Sequence, residues 1–199
     1  MIPSHDDFLD CSARWRGEHS GIAYELSWHG RSEHNPTGTW CYYLLLTEQQ
    51  FSPEDWKRLR LEREDKQFFG GPNWHRHFDY DSFPDLKAHG GWTWGEMTVF
   101  LGRDGKEYEH VKVGCDYAHL WDREAGYPDT RSSVEFDAKQ SIDILTRMFP
   151  NRRERCGYCG MYDESSQFYT AINGARVHQS QIGKLRETGW EKWLPAEAA

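Results

Sequence analysis

The chain has 199 residues, and its 24 lysines and arginines against 32 aspartates and glutamates give a formal net charge of -8. This length predicts one domain, or one domain with a small appendage. The negative charge disfavours binding to duplex DNA, which depends on the release of phosphate counterions. Aromatic residues make up 15% of the chain and include ten tryptophans, a content that excludes an intrinsically disordered protein.

Neither a membrane span nor a secretory leader is visible in the sequence. No apolar run approaches the roughly 18–20 residues that cross a bilayer, and residues 1–10 lack the basic start and apolar stretch of a signal peptide. The five cysteines are odd in number and mostly scattered, unlike a secreted disulfide framework. The sequence therefore predicts a cytoplasmic protein that has no membrane partner.

The first half of the chain contains patterns for two strands, one helix and a long loop. Apolar and polar residues alternate over 22–29, and the nearly continuous apolar run 39–46 predicts a central strand that is covered on both faces. The sequence Ser-Pro-Glu-Asp at 52–55 predicts a helix over 53–63. The stretch 68–84 is rich in glycine, proline and aromatic residues, a composition typical of functional or mobile loops.

The second half predicts a hairpin followed by a helix. Strand patterns over 96–102 and 110–115 are joined through Asp104-Gly105, which favours a tight turn. An apolar stripe predicts a helix over 134–149, capped by Ser132-Ser133.

These elements predict an α+β fold over residues 1–150, with a mainly antiparallel sheet and two packed helices. A small zinc-finger-like appendage is predicted over residues 151–199. Trp28 and Trp40 are assigned to the core of the larger part because they lie in the predicted strands.

The appendage carries a zinc-knuckle spacing. Cys156 and Cys159 are separated by two residues, as in sites where two thiolates bind one metal through a tight turn. A predicted hairpin over 167–178 and a short helix over 179–187 follow. The order of knuckle, hairpin and helix resembles a treble-clef zinc finger, and this resemblance implies His178 as a zinc ligand.

The last ligand of that zinc site is missing from its expected position, because Gln181 is a poor zinc ligand. Two interpretations remain open. Either Asp163 or a residue from elsewhere completes the zinc site, or the finger has lost its metal and is held by its aromatic core.

Two segments of the larger part have the residue types of an active site. In the first, His89 precedes Gly90 and Gly91, and paired glycines allow the positive φ angles and close backbone approach of a ligand-binding turn, although ordinary turns use them too. In the second, Asp116, His119 and Asp122 are spaced three apart.

The spacing of the second segment places its three side chains on one side of a helical turn or brings them together in a tight loop. Carboxylates and imidazole together suit a divalent cation such as zinc, manganese or iron. The simpler alternative is that Asp116 caps the turn and His119 packs against Trp121 or Trp92.

The two segments together resemble a family of uncharacterised proteins carried by bacteriophages and prophages. The resemblance rests on the patterns His89-Gly90-Gly91-x-Thr93 and Gly114-x-Asp116-x-Ala118-His119-x-x-Asp122. This chain departs from the family at Trp92, where an aliphatic residue is usual, and at Cys115, where phenylalanine is usual. Neither change removes a polar group. The resemblance therefore implies a candidate catalytic site made of His89, Asp116, His119 and Asp122.

Metal-assisted hydrolysis is the chemistry that these residues would suit. His89, Asp116 and His119 would bind the metal, and Asp122 would act as a further ligand, as an orienting group, or as a general base on bound water. Thr93 and the amides of Gly90 and Gly91 would hold an anionic oxygen. Phosphate esters are the natural substrates of such a site.

Aromatic and basic side chains near the two segments are candidates for binding a nucleotide. A nucleobase would stack on the rim formed by Trp74, Trp92, Trp94 and Trp121. His75 and His77 of the long loop would bind phosphate. The alternatives are core packing for the tryptophans and an exposed loop for the histidines.

The leading prediction is a phage-type, metal-dependent hydrolase of a nucleotide or phosphodiester, with a host nucleotide immune signal as one candidate substrate. The first alternative is a non-catalytic counter-defence protein that sequesters a nucleotide or binds a host defence protein. The second alternative is a structural or assembly protein. A phage-encoded protein of any of these kinds would be located in the host cytoplasm.

Overall fold

The structure of the protein is a computed structural model that describes residues 12–33, 36–63, 78–79, 83–102, 104–118, 122, 130–155, 162–163, 168–170 and 176–188. The chain divides into two compact units, of which the first comprises Met1–Thr47 and Lys57–Met148 and the second comprises Glu48–Trp56 and Phe149–Ala199. The sequence predicts a boundary after residue 150 and keeps 48–56 in the first domain, whereas the contacts group 48–56 with the second unit.

An antiparallel sheet forms the centre of the first unit. The strands of the first unit are β1 (Ala13–His19), β2 (Ile22–His29), β3 (Thr39–Thr47), β4 (Glu62–Arg63), β5 (Phe78–Asp79), β6 (Trp94–Leu101) and β7 (Glu107–Asp116). Helix α1 (Pro53–Leu59) has its first four residues in the second unit and its last three in the first, and helix α2 (Arg131–Met148) belongs to the first unit. Five strands pair in the order β1-β2-β3-β7-β6, and β4 pairs with β5. The predicted α+β class with a mainly antiparallel sheet is confirmed.

The four strongest strand patterns correspond to four of these strands. β2 has the predicted bounds, β3 is one residue longer, and β7 extends its predicted segment at both ends. β6 begins two residues before its predicted start and ends one residue before its predicted end. The sequence did not predict β1, which pairs with β2 along the whole of its length. The predicted helix over 53–63 is wrong at its end, because α1 stops at Leu59 and β4 begins at Glu62.

Helix α2 covers one face of the sheet. Cross-strand neighbours Leu26, Tyr42 and Cys115 share this face and are buried. The helix presents Val134, Ala138, Ser141, Ile142 and Leu145 as its buried positions. Their spacing of three or four residues is that of one helical face, so most of the predicted apolar stripe packs as expected.

The start of α2 differs from the prediction. Thr130 caps the helix, since its hydroxyl accepts a hydrogen bond from the amide of Ser133 at 3.3 Å. The predicted cap at Ser132-Ser133 is therefore wrong, and both serines lie within the helix. Threonine is a common N-cap, and its side chain usually accepts from the amide two or three residues later, as Thr130 does here. The two serines were therefore a less specific signal for the helix start than Thr130.

The second unit contains short elements. They are two 3-10 turns at Glu48–Gln50 and Gln179–Gln181, strands β8 (Glu154–Arg155), β9 (Tyr162–Asp163), β10 (Phe168–Thr170) and β11 (Arg176–His178), and helix α3 (Ile182–Glu187). β10 and β11 pair as an antiparallel hairpin, as predicted. Phe51 contacts both Trp56 and Phe149 through its ring, so the segment 48–56 is joined to this unit by aromatic packing.

No helix in the described part of the chain is both long and apolar enough to cross a membrane.

The other face of the central sheet carries a buried carboxylate. Glu25 of β2 is only 2% exposed, and its two oxygens accept hydrogen bonds from the Arg16 Nε and the Lys112 Nζ, both at 2.9 Å. Burial raises the pKa of Glu25, but the hydrogen bonds from Lys112 and Arg16 outweigh it and hold this pKa below the ordinary value of 4.5. Glu25 is therefore ionised in the folded protein at neutral pH.

This lowered pKa makes the stability of the fold depend on pH. A carboxylate with a depressed pKa in the folded state stabilises the fold above its unfolded pKa, and the contribution is lost as pH falls through the folded pKa. We expect Glu25→Gln to lower the free energy of unfolding by about 1–3 kcal/mol at pH 7 and to flatten its decline below pH 4.5. Urea unfolding at pH 7 and pH 3 measures both effects.

The exposed Glu107→Gln of β7 is the matched control, and it should leave the acid dependence of the wild type unchanged. An acid dependence of Glu25→Gln as steep as that of the wild type would contradict the assigned role of this carboxylate.

Candidate active site

The structure brings His89 and Asp122 into contact. The Nε2 atom of His89 lies 2.7 Å from the Oδ1 atom of Asp122, although the two residues are 33 positions apart in the chain. Their side chains are 21% and 11% exposed, respectively. A carboxylate oxygen can only accept in this contact, so it favours the imidazole tautomer with the proton on Nε2. Two members of the predicted catalytic set are thus adjacent.

A tyrosine that the sequence prediction missed lies against His89. The ring of Tyr117 stacks on the imidazole with centroids 4.7 Å apart and planes 13° apart. The Tyr117 hydroxyl donates a 2.6 Å hydrogen bond to the Oδ2 atom of Asp137 in α2. Burial, and then this hydrogen bond to Asp137, raise the pKa of Tyr117, so its hydroxyl keeps its proton. The sequence signal that could have identified Tyr117 as a site residue was its position inside the second motif, between Asp116 and Ala118.

The backbone around His89 is also fixed by hydrogen bonds. The carbonyl of Leu86 accepts a 3.1 Å hydrogen bond from the Ser141 hydroxyl, which in turn lies 2.9 Å from the Tyr42 hydroxyl. Burial raises the pKa of the Cys115 thiol to about 12, and this effect outweighs a hydrogen bond from the backbone of His89, which lowers the pKa. Cys115 is therefore protonated and serves as a packing residue below the site.

The two glycines after His89 form a tight turn. Gly90 and Gly91 have φ angles of 64° and 91°, as the paired-glycine pattern predicts. The Gly91 amide donates to the carbonyl of Ala88 at 3.0 Å, and the Thr93 amide donates to the carbonyl of Gly114 at 3.0 Å. The Gly91 amide, one of the glycine amides predicted to hold an anionic oxygen, is therefore bound to a backbone carbonyl, and so is the Thr93 amide. The prediction for Gly90 and for the Thr93 side chain is untested.

Thr93 and Asp116 join the two motifs directly. The hydroxyl of Thr93 accepts a 3.1 Å hydrogen bond from the amide of Asp116. The Oδ1 atom of Asp116 accepts from the Ala118 amide at 3.0 Å, which is the turn-capping arrangement that the sequence left as the alternative to metal binding. Asp116 therefore shapes the end of β7.

Trp92 and Trp94 lie on opposite faces of the sheet. The Trp92 indole donates to the carbonyl of Pro84 at 3.0 Å, and its ring meets Tyr42 edge-on at 6.3 Å. Trp94 meets Tyr43 edge-on at 5.3 Å and remains 38% exposed. Because Tyr42 and Tyr43 are consecutive in β3, their side chains point to opposite faces. Trp92 packs on the His89 side, whereas Trp94 does not.

Several predicted site residues lie outside the described residues. They are His119 and Trp121 after β7, Trp74, His75 and His77 of the long loop, and Cys156 and Cys159 of the appendage. Among the residues that the structure does describe, no three or more histidine, cysteine, aspartate or glutamate side chains form a group that could hold a metal ion. A divalent metal at the main site therefore stays a prediction.

His178, the predicted zinc ligand of the appendage, has both ring nitrogens in hydrogen bonds. Its Nδ1 atom accepts from the Ser180 amide at 3.2 Å, and its Nε2 atom lies 3.0 Å from the Oδ2 atom of Asp163. Because an amide can only donate, Nδ1 is unprotonated and Nε2 donates to Asp163. His178 thus caps the 3-10 turn. The zinc site, completed by Asp163 or by a residue from elsewhere, stays a prediction, as does the alternative of a finger without metal.

Comparisons of this chain with protein-family models, with curated proteins and with solved structures found no match. The resemblance to phage proteins therefore stays a prediction that rests on the two motifs.

The hydrogen bond between Thr93 and Asp116 gives a prediction for stability. We expect Thr93→Val to lower the free energy of unfolding by about 1–2 kcal/mol, because the Asp116 amide loses its acceptor in a partly buried place. Thr93→Ser keeps the hydroxyl and should lose less than half as much. Urea unfolding of the three proteins checks this. Because valine keeps the methyl group that serine loses, a loss for serine as large as that for valine would contradict the dominant contribution of the hydrogen bond.

Proposed function

We propose that the first unit is a hydrolase of a nucleotide or phosphodiester in which His89 is the general acid-base and Asp122 orients it. The observation that carries the proposal is the 2.7 Å contact between the His89 Nε2 atom and the Asp122 Oδ1 atom. Both side chains are mostly shielded from water, and a charged pair interacts more strongly in such a place than at the surface.

In the proposed step, the Nδ1 atom of His89 accepts a proton from a water molecule as the water oxygen attacks phosphorus. The bond from phosphorus to the leaving oxygen breaks with its electron pair on that oxygen. The resulting imidazolium then returns the proton to the leaving oxygen. Asp122 keeps the Nε2 proton in place and stabilises the positive charge of the imidazolium, as an acceptor carboxylate does in other histidine-dependent enzymes.

A divalent ion, zinc, manganese or similar, belongs to this proposal as the group that would neutralise the phosphate charge. The sequence predicts His89, Asp116 and His119 as metal ligands, and this proposal gives His89 the acid-base role instead, so Asp116 and His119 are the ligands that remain. Asp116 has its Oδ1 atom on the Ala118 amide, so it would bind a metal through its other oxygen.

A nucleotide-sequestering protein without turnover is the second candidate. The observation that favours it is the turn after His89, where the amides of Gly91 and Thr93 are already bound to backbone carbonyls. An anionic transition state is usually stabilised by backbone donors that point into the site. Because these two amides are bound within the backbone, they would not stabilise an anionic transition state, and this favours a role without turnover.

The two candidates are separated by incubating the full chain with a panel of cyclic and linear nucleotides, with and without a chelator. Under the hydrolase proposal we expect turnover, and we expect His89→Ala to lower kcat/KM by about 10²–10⁴-fold. Asp122→Asn should also lower kcat/KM, because an amide is uncharged and does not stabilise the imidazolium. Loss of turnover on chelation, with recovery on adding zinc or manganese, would support the metal.

His29→Ala is the matched control, since His29 is an exposed histidine at the end of β2 in the same unit. Its activity should equal that of the wild type. Nucleotide that is bound tightly but recovered unchanged would instead support sequestration, and neither binding nor turnover across the panel would overturn both candidates.

A further inference from the structure

We propose that helix α2 is the element that positions His89, with Asp137 and Ser141 as its two positioning residues. The inference rests on the proposed function, because it assigns residues that act through His89 rather than on a substrate. It concerns a helix that begins more than 40 positions after His89 and that neither sequence motif includes.

The first connection acts on the imidazole plane. Tyr117 stacks almost parallel to the His89 ring, at an angle of 13°, and its hydroxyl donates to Asp137 at 2.6 Å. A hydrogen bond to a carboxylate is short and strong, so it restricts the tilt of the tyrosine ring. Tyr117 is buried, and its backbone amide donates to the carbonyl of Trp40 in β3. Tyr117, on which the His89 ring stacks, is therefore held by hydrogen bonds at its hydroxyl and at its backbone amide.

The second connection acts on the backbone that carries His89. The hydroxyl of Ser141 donates to the carbonyl of Leu86, three residues before His89. Ser141 and Leu86 are both buried, and the Tyr42 hydroxyl also contacts Ser141. Because a buried carbonyl needs a hydrogen-bond partner, this contact holds the backbone at Leu86 at a defined distance from α2.

Asp137 and Ser141 are one helical turn apart and lie on the same side of α2. One rigid helix thus fixes the plane of the His89 ring and the position of its backbone together. Asp122 fixes the remaining freedom, the rotation of the ring, through Nε2. Catalytic groups require such support because small displacements cost large factors in rate.

A double-mutant cycle of Tyr117→Phe and Asp137→Ala tests the first connection. The readout independent of activity is the rate at which the His89 Nε2 proton exchanges with solvent, measured by nitrogen-15 NMR of the full chain. We expect each single change to raise this rate roughly tenfold, as for the loss of one hydrogen bond to a charged group. The double variant should be no faster than either single variant, because both changes break one contact.

Conservative and control variants sharpen this test. Asp137→Asn keeps an acceptor for the Tyr117 hydroxyl and should restore an exchange rate near that of the wild type. Asp143→Ala breaks the contact of another aspartate of the same helix with His19, at 2.8 Å, and should leave the His89 proton unchanged. Ser141→Ala tests the second connection, and it should raise the exchange rate in addition to the effect of Tyr117→Phe.

Activity is the second readout where a substrate is found. We expect Tyr117→Phe and Asp137→Ala to lower kcat roughly tenfold with KM little changed, since the displaced group is the acid-base and not a binding group. Unchanged proton exchange in both single variants, or additive effects in the double variant, would overturn the positioning role. An absence of turnover in the wild type would overturn the proposed function alone, because the exchange rates decide the positioning role without a substrate.

Discussion

The alternation of side chains along β3 is the constraint on which the rest of the first unit depends. Tyr42 points to the face that α2 covers, and Tyr43 points to the other face. Trp92 contacts Tyr42 and therefore packs on the same face of the sheet as His89. Trp94 contacts Tyr43 and therefore packs on the opposite face. A sequence segment that reads as one aromatic motif is therefore divided between two surfaces with different chemistry.

The two faces are stabilised in different ways. The face under α2 is mostly apolar, and its polar groups, such as the hydroxyls of Tyr42 and Ser141, bind each other. The other face has Glu25 at its centre, where the Lys112 ammonium donates to the carboxylate and lies 4.3 Å from the centre of the Tyr43 ring. An apolar side chain in place of this ion pair is often as stable. Strand β2 tolerates the charge because two cations and a ring surround it.

The sequence predicts those features that local chemistry determines. The alternation in β2, the apolar run of β3 and the positive φ angles at Gly90 and Gly91 follow from the residues themselves. Features that depend on distant partners were not predicted. The polar sequence of β1 becomes a strand because β2 pairs with it, and Tyr117 gains its role from a ring and a carboxylate elsewhere in the fold. The contact of His89 with Asp122 was predicted in part: both residues belong to the motifs, but the sequence did not show that their side chains meet.

Three histidine-aspartate contacts occur among the described residues, and their surroundings differ. The His19-Asp143 side chains are 33% and 48% exposed, and in the His178-Asp163 pair the aspartate is 42% exposed. The His89-Asp122 pair is the one in which both partners are mostly shielded, and its imidazole rests on a buried tyrosine. Shielding would strengthen the interaction between the carboxylate and an imidazolium, whereas exposed pairs are weakened by water and salt. Shielding an ion pair from water costs more desolvation free energy than leaving it exposed. Acid-base chemistry is a role that would use the stronger interaction of the shielded pair beside the glycine turn.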